Sequence, residues 1–381
     1  MTDIIIAGIG QTSVAEHWDL SLRELAHQAI AAAISDAGGL QPQALYVGNM
    51  LAPNLSHQAH LGALLADFSN LKGIEAAALE AGGASGGAAL RQGYLAILSG
   101  YVQTVLVVGV EKFTDVVGPE TESALATATD SDFEAIQGLT PTAQAALLMR
   151  RYLHEYDVPA DGLAGFALTA HAHSVGNKNA MFQKPISLEA YRSAELVSDP
   201  LNMFDIAPVA DGAAAVLLTD RELLPPGFPH PLVKLAGSAS ATDSLALHDR
   251  LEPLAFQAAG TSACTALEKA SLSLSDLDLF EYFDAYSIFA ALSLEATGLA
   301  QPGQGWRRIN EPDLLPCATL GGLKARGNPG GAAGVYQAVE AALQLRGQAG
   351  ASQVPGARNA LIQCLGGPAS SAFSHVLTLL S

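Results

Sequence analysis

The sequence predicts an α/β protein made of two similar halves with a less regular segment inserted between them. Short apolar runs alternate with helical segments on both sides of the insertion, as in sheets covered by helices. Two glycine-rich segments, GASGGAALRQGYLAIL (83–98) and GNPGGAAGVYQAVEAAL (327–343), each lead into an alanine-rich helix. An internal repeat of this kind indicates two matched halves.

The first half begins with a strand and a helix. The apolar run at 3–8 ends in glycine and predicts the strand, and the helical spacing of Leu, Ala and Ile over 20–37 predicts the helix. Buried strands are predicted at 44–50 and 104–110, with a helix of small residues at 85–99 between them. The order is that of an alternating α/β unit.

From residue 112 the pattern gives way to polar sequence interrupted by proline and glycine, which predicts an irregular insertion over the core. We assign residues 1–111 and 212–230 to the first half, 112–211 to the inserted loop domain and 231–381 to the second half. In the second half, strands are predicted at 233–236, 277–282, 359–364 and 374–380, and helices at 255–270 and 332–344.

Composition restricts the function classes. The 381 residues are 49% hydrophobic and 15% charged, which suits a large buried core. A net charge of -18 disfavours nucleic acid and anionic membrane surfaces as partners. No run of about twenty uncharged apolar residues occurs. We therefore expect a cytoplasmic protein.

Three cysteines and a histidine pair are the candidate reactive or metal-binding groups. Cys264, Cys317 and Cys364 are far apart, form no C-x-x-C pair and suit a reducing compartment. Cys264 and Cys317 are expected to be ordinary packing residues. His171 and His173 are two apart, which on a helix points them to different faces, so no metal site is predicted.

Four ordered motifs and one altered segment resemble the thiolase superfamily, and most closely its sterol-carrier-type and archaeal members. The altered segment, FDAY (283–286), stands where these relatives carry H-D-x-F. The four motifs span nearly the whole chain and are LEAGGASGGAA (79–89), DGAAAV (211–216), GGLKARGNPGGA (321–332) and CLGG (364–367).

The resemblance implies a five-layered α-β-α-β-α thiolase fold, with two similar βαβαβαββ halves, an inserted loop domain and a homodimer. It implies coenzyme A or acyl-CoA as substrate or ligand, and no permanently bound cofactor. Sterol-carrier-type relatives often work beside a small zinc-ribbon and OB-fold protein, so a partner of that kind is expected as well.

Three of the family's catalytic positions are altered. The nucleophilic cysteine corresponds to Gly83, which has no side chain, so no acyl group can be held there. The family's two histidines correspond to Phe283 and Asn328. Asn328 can donate a hydrogen bond to a thioester oxygen, but an amide does not titrate near pH 7 and cannot act as general acid or base.

Other catalytic and binding roles follow from the resemblance. Cys364, in the pattern C-x-G, corresponds to the family's base, and the N–H groups of Gly83 and Gly366 correspond to its oxyanion hole. Tyr282 and Tyr286 are candidate acids in place of the missing histidine, with aromatic packing as the alternative. Coenzyme A is expected to contact three residues: Ala207, Pro208 and Lys324.

Two functions remain open on the sequence alone. The first is an enzyme that breaks or forms carbon–carbon bonds in acyl-CoA thioesters without an acyl-cysteine intermediate. The second is a catalytically inactive thiolase-like subunit that binds CoA thioesters or supports a partner protein. Ordinary acetyl-CoA acetyltransferase activity is not expected of a chain with glycine at position 83.

Overall fold

The first half of the chain supplies five neighbouring strands of the central sheet. In the computed structural model, which describes residues 3–380, the elements of this half are β1 (Ile4–Gln11), α1 (Leu22–Asp36), β2 (Ala44–Gly48), α2 (Ala52–Leu55), α3 (Leu61–Phe68), β3 (Glu75–Leu79), α4 (Ser85–Leu98), β4 (Thr104–Glu111) and β7 (Gly212–Asp220). The strand order is β3-β2-β4-β7-β1, and β7 enters antiparallel between β4 and β1.

The segment between β4 and β7 is more regular than predicted. Proline and glycine there mark the beginnings of helices: Pro141 opens a helix whose preceding residue, Thr140, accepts a hydrogen bond from the Ala143 N–H. The strands of the segment form a small separate sheet. Its elements are α5 (Pro119–Ala126), α6 (Pro141–Glu155), α7 (Ala164–His173), α8 (Leu188–Arg192), β5 (Leu196–Ser198) and β6 (Leu201–Asn202).

The second half mirrors the first across the contact of β1 with the next strand, where Ile5 pairs with Lys234. Its elements are β8 (Val233–Thr242), α9 (Gln257–Ala270), β9 (Leu279–Glu281), α10 (Ser287–Ala296), α11 (Gly305–Arg308), α12 (Gly322–Arg326), α13 (Ala333–Leu345), β10 (Asn359–Gly366) and β11 (Ser371–Leu379). The strand order is β8-β11-β10-β9, so β8, β9, β10 and β11 correspond to β1, β2, β4 and β7.

The counterpart of β3 in this half is reduced to a single bridge. Phe280, on β9, pairs in parallel with Cys317 where a third parallel strand would lie. The predicted strand at 277–282 is correspondingly short. The duplication read from the sequence therefore extends to the topology, with one strand lost.

The predicted five layers are confirmed. Helices α1 and α3 cover the outer face of the first set of strands, and α9 covers the outer face of the second. Helices α4 and α13 lie between the two sets and contact strands of both. Within residues 3–380, no helix is long and apolar enough to cross a membrane.

The two central helices approach backbone to backbone. A Cβ atom on Gly86 would lie 2.9 Å from the Gly331 carbonyl oxygen, and one on Gly334 would lie 2.5 Å from the Gly87 nitrogen. Side chains cannot be accommodated at such distances. The repeated glycines thus bring the amino-terminal ends of α4 and α13 together at the centre of the molecule.

Candidate active site

A cavity of about 220 Å³ opens beside the amino-terminal end of α4. It lies where the glycine segment before α4 meets the end of β10, the segment before α10 and helix α5. We call it the first cavity. The residues that line it are Met50, Gly83, Glu122, Leu125, Ala128, Pro141, Thr142, Ile206, Ala207, Pro208, Val209, Phe283, Ala285, Tyr286, Phe289, Asn328, Gly330, Leu365, Gly367 and Pro368.

Gly83 and Phe283 are in contact at the base of this cavity. A Cβ atom on Gly83 would lie 2.6 Å from Cζ of Phe283 and 2.9 Å from the carbonyl oxygen of Leu365. Real Cβ atoms do not come so close to their neighbours, so the ring stands in the place of a side chain at position 83. Next to Phe283, the buried carboxylate of Asp284 accepts the Leu323 N–H at 2.6 Å and fixes this segment to α12.

Asn328 lines the cavity and is tied to the segment that holds Ala207 and Pro208. Its N–H donates to the Pro208 carbonyl at 2.8 Å, and its own carbonyl accepts the Ala210 N–H at 3.1 Å. Its side-chain Oδ1 accepts the Gly330 N–H at 3.1 Å, which leaves the amide NH₂ as the end of the side chain not used in this turn. The structure thus brings together three of the residues predicted for the site.

The carboxylate of Glu111 fixes the backbone next to the cavity, although Glu111 is not among the lining residues. Its carboxylate oxygens accept the N–H groups of Met50, Leu51 and Gly331 and the side-chain amide of Asn49, at 2.8 to 3.0 Å. The side chain is fully buried, and burial raises the pKa of Glu111 to about 7. One carboxylate therefore joins the end of β4 to the entry of α13.

The two candidate tyrosines lie in different places. Tyr286 lines the cavity, and its hydroxyl lies 3.0 Å from Oγ1 of Thr142. Burial raises the pKa of Tyr286 to about 12, and the charge of Glu122 contributes, so the phenol is neutral at pH 7. Tyr282 is buried outside the cavity lining against Phe166, and its hydroxyl has no hydrogen-bond partner among the described residues. The acid role fits Tyr286 and does not fit Tyr282.

Sequence reasoning missed Glu122. Helix α5 turns Glu122 and Leu125, three residues apart, toward the cavity, so they share one helical face. Desolvation raises the pKa of the Glu122 carboxyl. No periodic signal marks this residue, because it lies in a polar segment that the sequence predicts to be irregular. Without the position of α5, nothing connected this residue with the glycine motifs.

Cys364 lies behind the cavity rather than in its lining. A Cβ atom on Gly87 or on Gly334 would come within 2.7 Å of the Cys364 sulfur, which places the thiol between the two central helices. The thiol is fully buried, donates to Oε1 of Gln337 at 3.3 Å, and has its pKa raised by burial to about 12. The predicted role of Cys364 as base does not fit this placement.

Gly366 lies at the edge of the site. It lines a neighbouring cavity of about 580 Å³, together with Gly82 and Gly367, and Gly367 also lines the first cavity. A Cβ atom on Gly82 would be 3.4 Å from the Gly366 Cα. The two predicted oxyanion segments therefore touch, but Gly83 faces the first cavity and Gly366 the adjoining one.

Lys324 is a buried structural residue. Its ammonium donates to the carbonyls of Phe204 and Asp205 at 3.2 and 2.8 Å, and burial lowers the pKa of Lys324 to about 8. It lies at the base of a second cavity of about 520 Å³, which shares Ile206 and Pro208 with the first. Because its amine is engaged in the interior, contact of Lys324 with coenzyme A phosphates does not fit.

The remaining cysteines and histidines lie away from the first cavity. Cys317 is buried, as expected, whereas Cys264 is exposed on α9, so the expectation of packing there was wrong. The hydrophilic face of α9 explains the difference, because Cys264 lies one turn from Glu268. His171 bonds to the Lys184 carbonyl and lines the second cavity, and His173 bonds to the Cys317 carbonyl.

Family models match almost the entire chain. The thiolase amino-terminal domain model covers residues 4–222, and the thiolase C-terminal domain-like model covers residues 239–379. An acetyl-CoA acetyltransferase of Methanothermobacter thermautotrophicus is 38% identical over 99% of this chain and 100% of its own length. The benzoylsuccinyl-CoA thiolase subunit BbsB of Thauera aromatica is 27% identical over 96% of this chain and 94% of its own.

Solved structures show the same fold. The Ltp2-ChsH2(DUF35) aldolase superimposes with a TM-score of 0.84 at 24% identity, covering 99% of this chain and 98% of that one. Human mitochondrial 3-ketoacyl-CoA thiolase in complex with CoA superimposes with a TM-score of 0.78 at 18% identity, covering 100% of this chain and 98% of that one.

Proposed function

Since the chain belongs to the thiolase family, we propose that it breaks or forms a carbon–carbon bond in an acyl-CoA thioester without an acyl-cysteine intermediate. The contact of Gly83 with Phe283 carries the proposal, because the ring occupies the space that a nucleophilic side chain would need. None of the described residues that line the first cavity is a cysteine. Thiolysis through a covalent thioester then has no starting group in this cavity.

Aldol-type chemistry fits the groups that are present. In the cleavage direction, a base takes the hydroxyl proton of a 3-hydroxyacyl-CoA, the Cα–Cβ bond breaks, and its electron pair passes into the thioester as an enolate. The enolate then takes a proton at Cα, giving a shortened acyl-CoA and an aldehyde or ketone. This sequence requires a base and hydrogen-bond donors for the enolate oxygen, but no protein nucleophile.

The proposed donors for the enolate oxygen are the Gly83 N–H and the side-chain amide of Asn328, with the Gly366 N–H as the third candidate. Gly83 and Asn328 both line the first cavity, and Gly366 adjoins it. Donors of this kind are each worth roughly 3 to 4 kcal/mol of transition-state stabilisation in other acyl-transfer sites. Two of them would suffice for appreciable catalysis.

We propose that coenzyme A spans the first and second cavities, passing Ala207 and Pro208. In the second cavity, the aromatic rings of Phe182 and Phe204 could contact the adenine of coenzyme A. The exposed ammonium of Lys184 could contact its phosphates. Lys184→Ala is therefore expected to weaken CoA binding about tenfold at low salt, as measured by calorimetry. Lys178→Ala, an exposed lysine outside both linings, should bind as the parent does.

The deciding experiment compares two reactions of the isolated protein. We expect a series of 3-hydroxyacyl-CoA substrates to include some that are cleaved to a shortened acyl-CoA and a carbonyl product. We expect no thiolysis of acetoacetyl-CoA by free coenzyme A, and no acyl adduct in intact-mass spectra after incubation with acetyl-CoA. An adduct on a cysteine, or thiolysis without cleavage, would place the protein among ordinary acetyl-CoA acetyltransferases.

The second candidate is an inactive or partner-dependent subunit. Its support is that one relative, BbsB, is named as a thiolase subunit, and that the Ltp2-ChsH2(DUF35) aldolase contains a second component. A partner of the zinc-ribbon and OB-fold type would fit this candidate. Cleavage that appears only when such a co-expressed partner is added would favour the partner-dependent form, and cleavage by the isolated chain would count against it.

We also propose a homodimer. Strand β3 (Glu75–Leu79) ends the sheet and is largely exposed, so its outer edge is available to the same strand of a second copy. Light scattering coupled to size-exclusion chromatography should give twice the chain mass. Ala77→Pro would interrupt pairing along that edge and should shift the mass toward a monomer. Ala63→Pro, in the neighbouring helix α3, is the control that shows whether a proline away from the edge changes the mass through general structural damage.

A further inference from the structure

The first cavity contains few groups that can exchange a proton. Among the described residues of its lining, the titratable side chains are the carboxyl of Glu122 and the phenol of Tyr286. The others are apolar residues, glycines and prolines, together with Thr142 and the amide of Asn328. Hydroxyl and amide groups donate and accept hydrogen bonds but do not act as bases at neutral pH.

The two titratable groups are near enough to influence each other. Glu122 faces the cavity from α5, and Tyr286 faces it from the residue before α10, with Thr142 of α6 bonded to the phenol at 3.0 Å. The negative charge of Glu122 contributes to the raised pKa of Tyr286, after the larger effect of burial. Glu122 lines the cavity and is also exposed to solvent.

Resting on the proposed aldol-type function, we propose that Glu122 is the catalytic base and that Tyr286 is the hydrogen-bond donor to the oxygen on Cβ. In cleavage, the Glu122 carboxylate takes the proton of the Cβ hydroxyl while the Cα–Cβ bond breaks, giving a carbonyl at Cβ and an enolate of the thioester. The Glu122 carboxyl then returns that proton to Cα, so the enzyme ends as it began. Tyr286 keeps its proton throughout and polarises the Cβ oxygen.

The assignment also accounts for the loss of the family's histidines at Phe283 and Asn328, since neither replacement can carry a proton. The residue that transfers the proton would then lie on helix α5 of the loop domain, and not at the histidine positions in the second half of the fold. The donors for the enolate stay on the glycine segments, and the base stands on helix α5 in the lining of the same cavity.

Two readouts separate the roles. The first is cleavage of a 3-hydroxyacyl-CoA, which needs both groups. The second is exchange of the Cα protons of butanoyl-CoA with deuterium from the solvent, followed by mass spectrometry. Exchange needs a base at Cα and donors for the enolate, but a plain acyl-CoA has no Cβ oxygen for a phenol to polarise.

We expect Glu122→Gln to lower both cleavage and exchange by about 100-fold or more, with butanoyl-CoA affinity unchanged. Glu122→Asp should recover part of both rates, because the base is kept at a shorter reach. Tyr286→Phe should lower cleavage by about 10-fold or more and leave exchange within about twofold of the parent. Glu120→Gln, the same change two residues away on the exposed face of α5, should match the parent in every assay.

Exchange at the parental rate in the Glu122→Gln variant would overturn the assignment of the base. A parent protein that exchanges Cα protons but cleaves no 3-hydroxyacyl-CoA would overturn the aldol function, while the ratio of parent to Glu122→Gln exchange would still decide the base. A parent that does neither would overturn both. If Glu122→Gln does not fold, by circular dichroism, the Glu122→Asp variant decides through the same two rates.

Discussion

The ring of Phe283 stands in the place of a side chain on Gly83, with 2.6 Å between Cζ and the position of a Cβ atom. The two residues are 200 positions apart in sequence and come from different halves of the fold. The absence of a side chain at one position and the ring at the other therefore fit each other, and changing either one alone should be costly.

This contact predicts non-additive effects on stability. Gly83→Ala should cost about 1 to 3 kcal/mol through overpacking, and Phe283→Ala about 3 to 5 kcal/mol through the space it leaves. The double variant should cost at least about 1 kcal/mol less than the sum, because each change relieves the other. Urea unfolding of the four proteins measures the coupling.

The matched control is Gly93→Ala, whose added methyl would meet Val105 and Val107 rather than Phe283. When Gly93→Ala is combined with Phe283→Ala, the two changes in unfolding free energy should be additive to within about 0.5 kcal/mol. Equal coupling in both pairs would show that the effect is not specific to the Gly83 contact.

Replacement of Cys364 should leave catalysis nearly intact. The thiol lies between α4 and α13, outside the cavity lining, so Cys364→Ala is expected to keep the cleavage rate within about twofold. Its cost should be in stability, about 1 kcal/mol, since one buried sulfur is lost. Cys264→Ala on the exposed face of α9 is the control, with neither effect.

A loss of cleavage of 100-fold or more in a folded Cys364→Ala protein would contradict this placement and restore the thiol as the base. Measurement of kcat and of the unfolding midpoint on the same preparation distinguishes the two outcomes.

The sequence predicts where the backbone of this site lies better than it predicts which way the side chains point. Gly83 and Asn328 belong to motifs in which glycine and proline fix the backbone, so their place at the helix entries followed from the repeat. Cys364 belongs to such a motif too, yet which way its side chain points depends on strand alternation, since β10 turns neighbouring residues to opposite faces. The C-x-G pattern did not reveal that face.

Glu122 and Lys324 illustrate what could not be predicted. Glu122 reaches the cavity because α5 folds over the first half, a long-range arrangement that leaves no periodic mark in a polar segment. Lys324 is expected from the sequence to contact coenzyme A, whereas in the structure its amine points inward to the carbonyls of Phe204 and Asp205. Charge in a sequence does not reveal whether its side chain is solvated.

Asn328→Asp should lower kcat by about 100-fold or more with a small change in KM. The aspartate keeps the oxygen that accepts the Gly330 N–H, so the turn is preserved, but it removes the NH₂ donor proposed for the enolate oxygen. Asn70→Asp at an exposed position serves as the control for the added charge. A kcat within about threefold of the parent would rule out a donor role for the amide.

Glu111→Gln should destabilise the protein by about 2 to 4 kcal/mol. Each carboxylate oxygen accepts two hydrogen bonds, so an NH₂ group in place of either oxygen would face two donors. The exposed Glu222→Gln change should cost less than about 0.5 kcal/mol. Thermal unfolding midpoints of the two variants test the difference, and equal midpoints would contradict a structural role for this carboxylate.

Tyr286 should make stability fall in alkali. Its phenol has a pKa of about 12 in the folded protein, because burial disfavours the charged form, against 10.0 when exposed. Between these values the unfolded chain has lost the proton and the folded chain retains it. The contribution is therefore fully present below pH 10 and is lost as the pH rises toward 12, by up to about 3 kcal/mol.

Tyr286→Phe removes the pH-dependent contribution of this phenol to the free energy of unfolding. The variant should therefore lose less stability than the parent between about pH 9 and pH 12. Tyr101→Phe, at a tyrosine that is 85% exposed, should follow the parent over the same interval. Urea unfolding at the two pH values gives the difference, and the ultraviolet absorbance of tyrosinate reports when the phenols ionise. Parallel loss in the parent and in Tyr286→Phe would show that the Tyr286 phenol is not held neutral by its buried position in the first cavity.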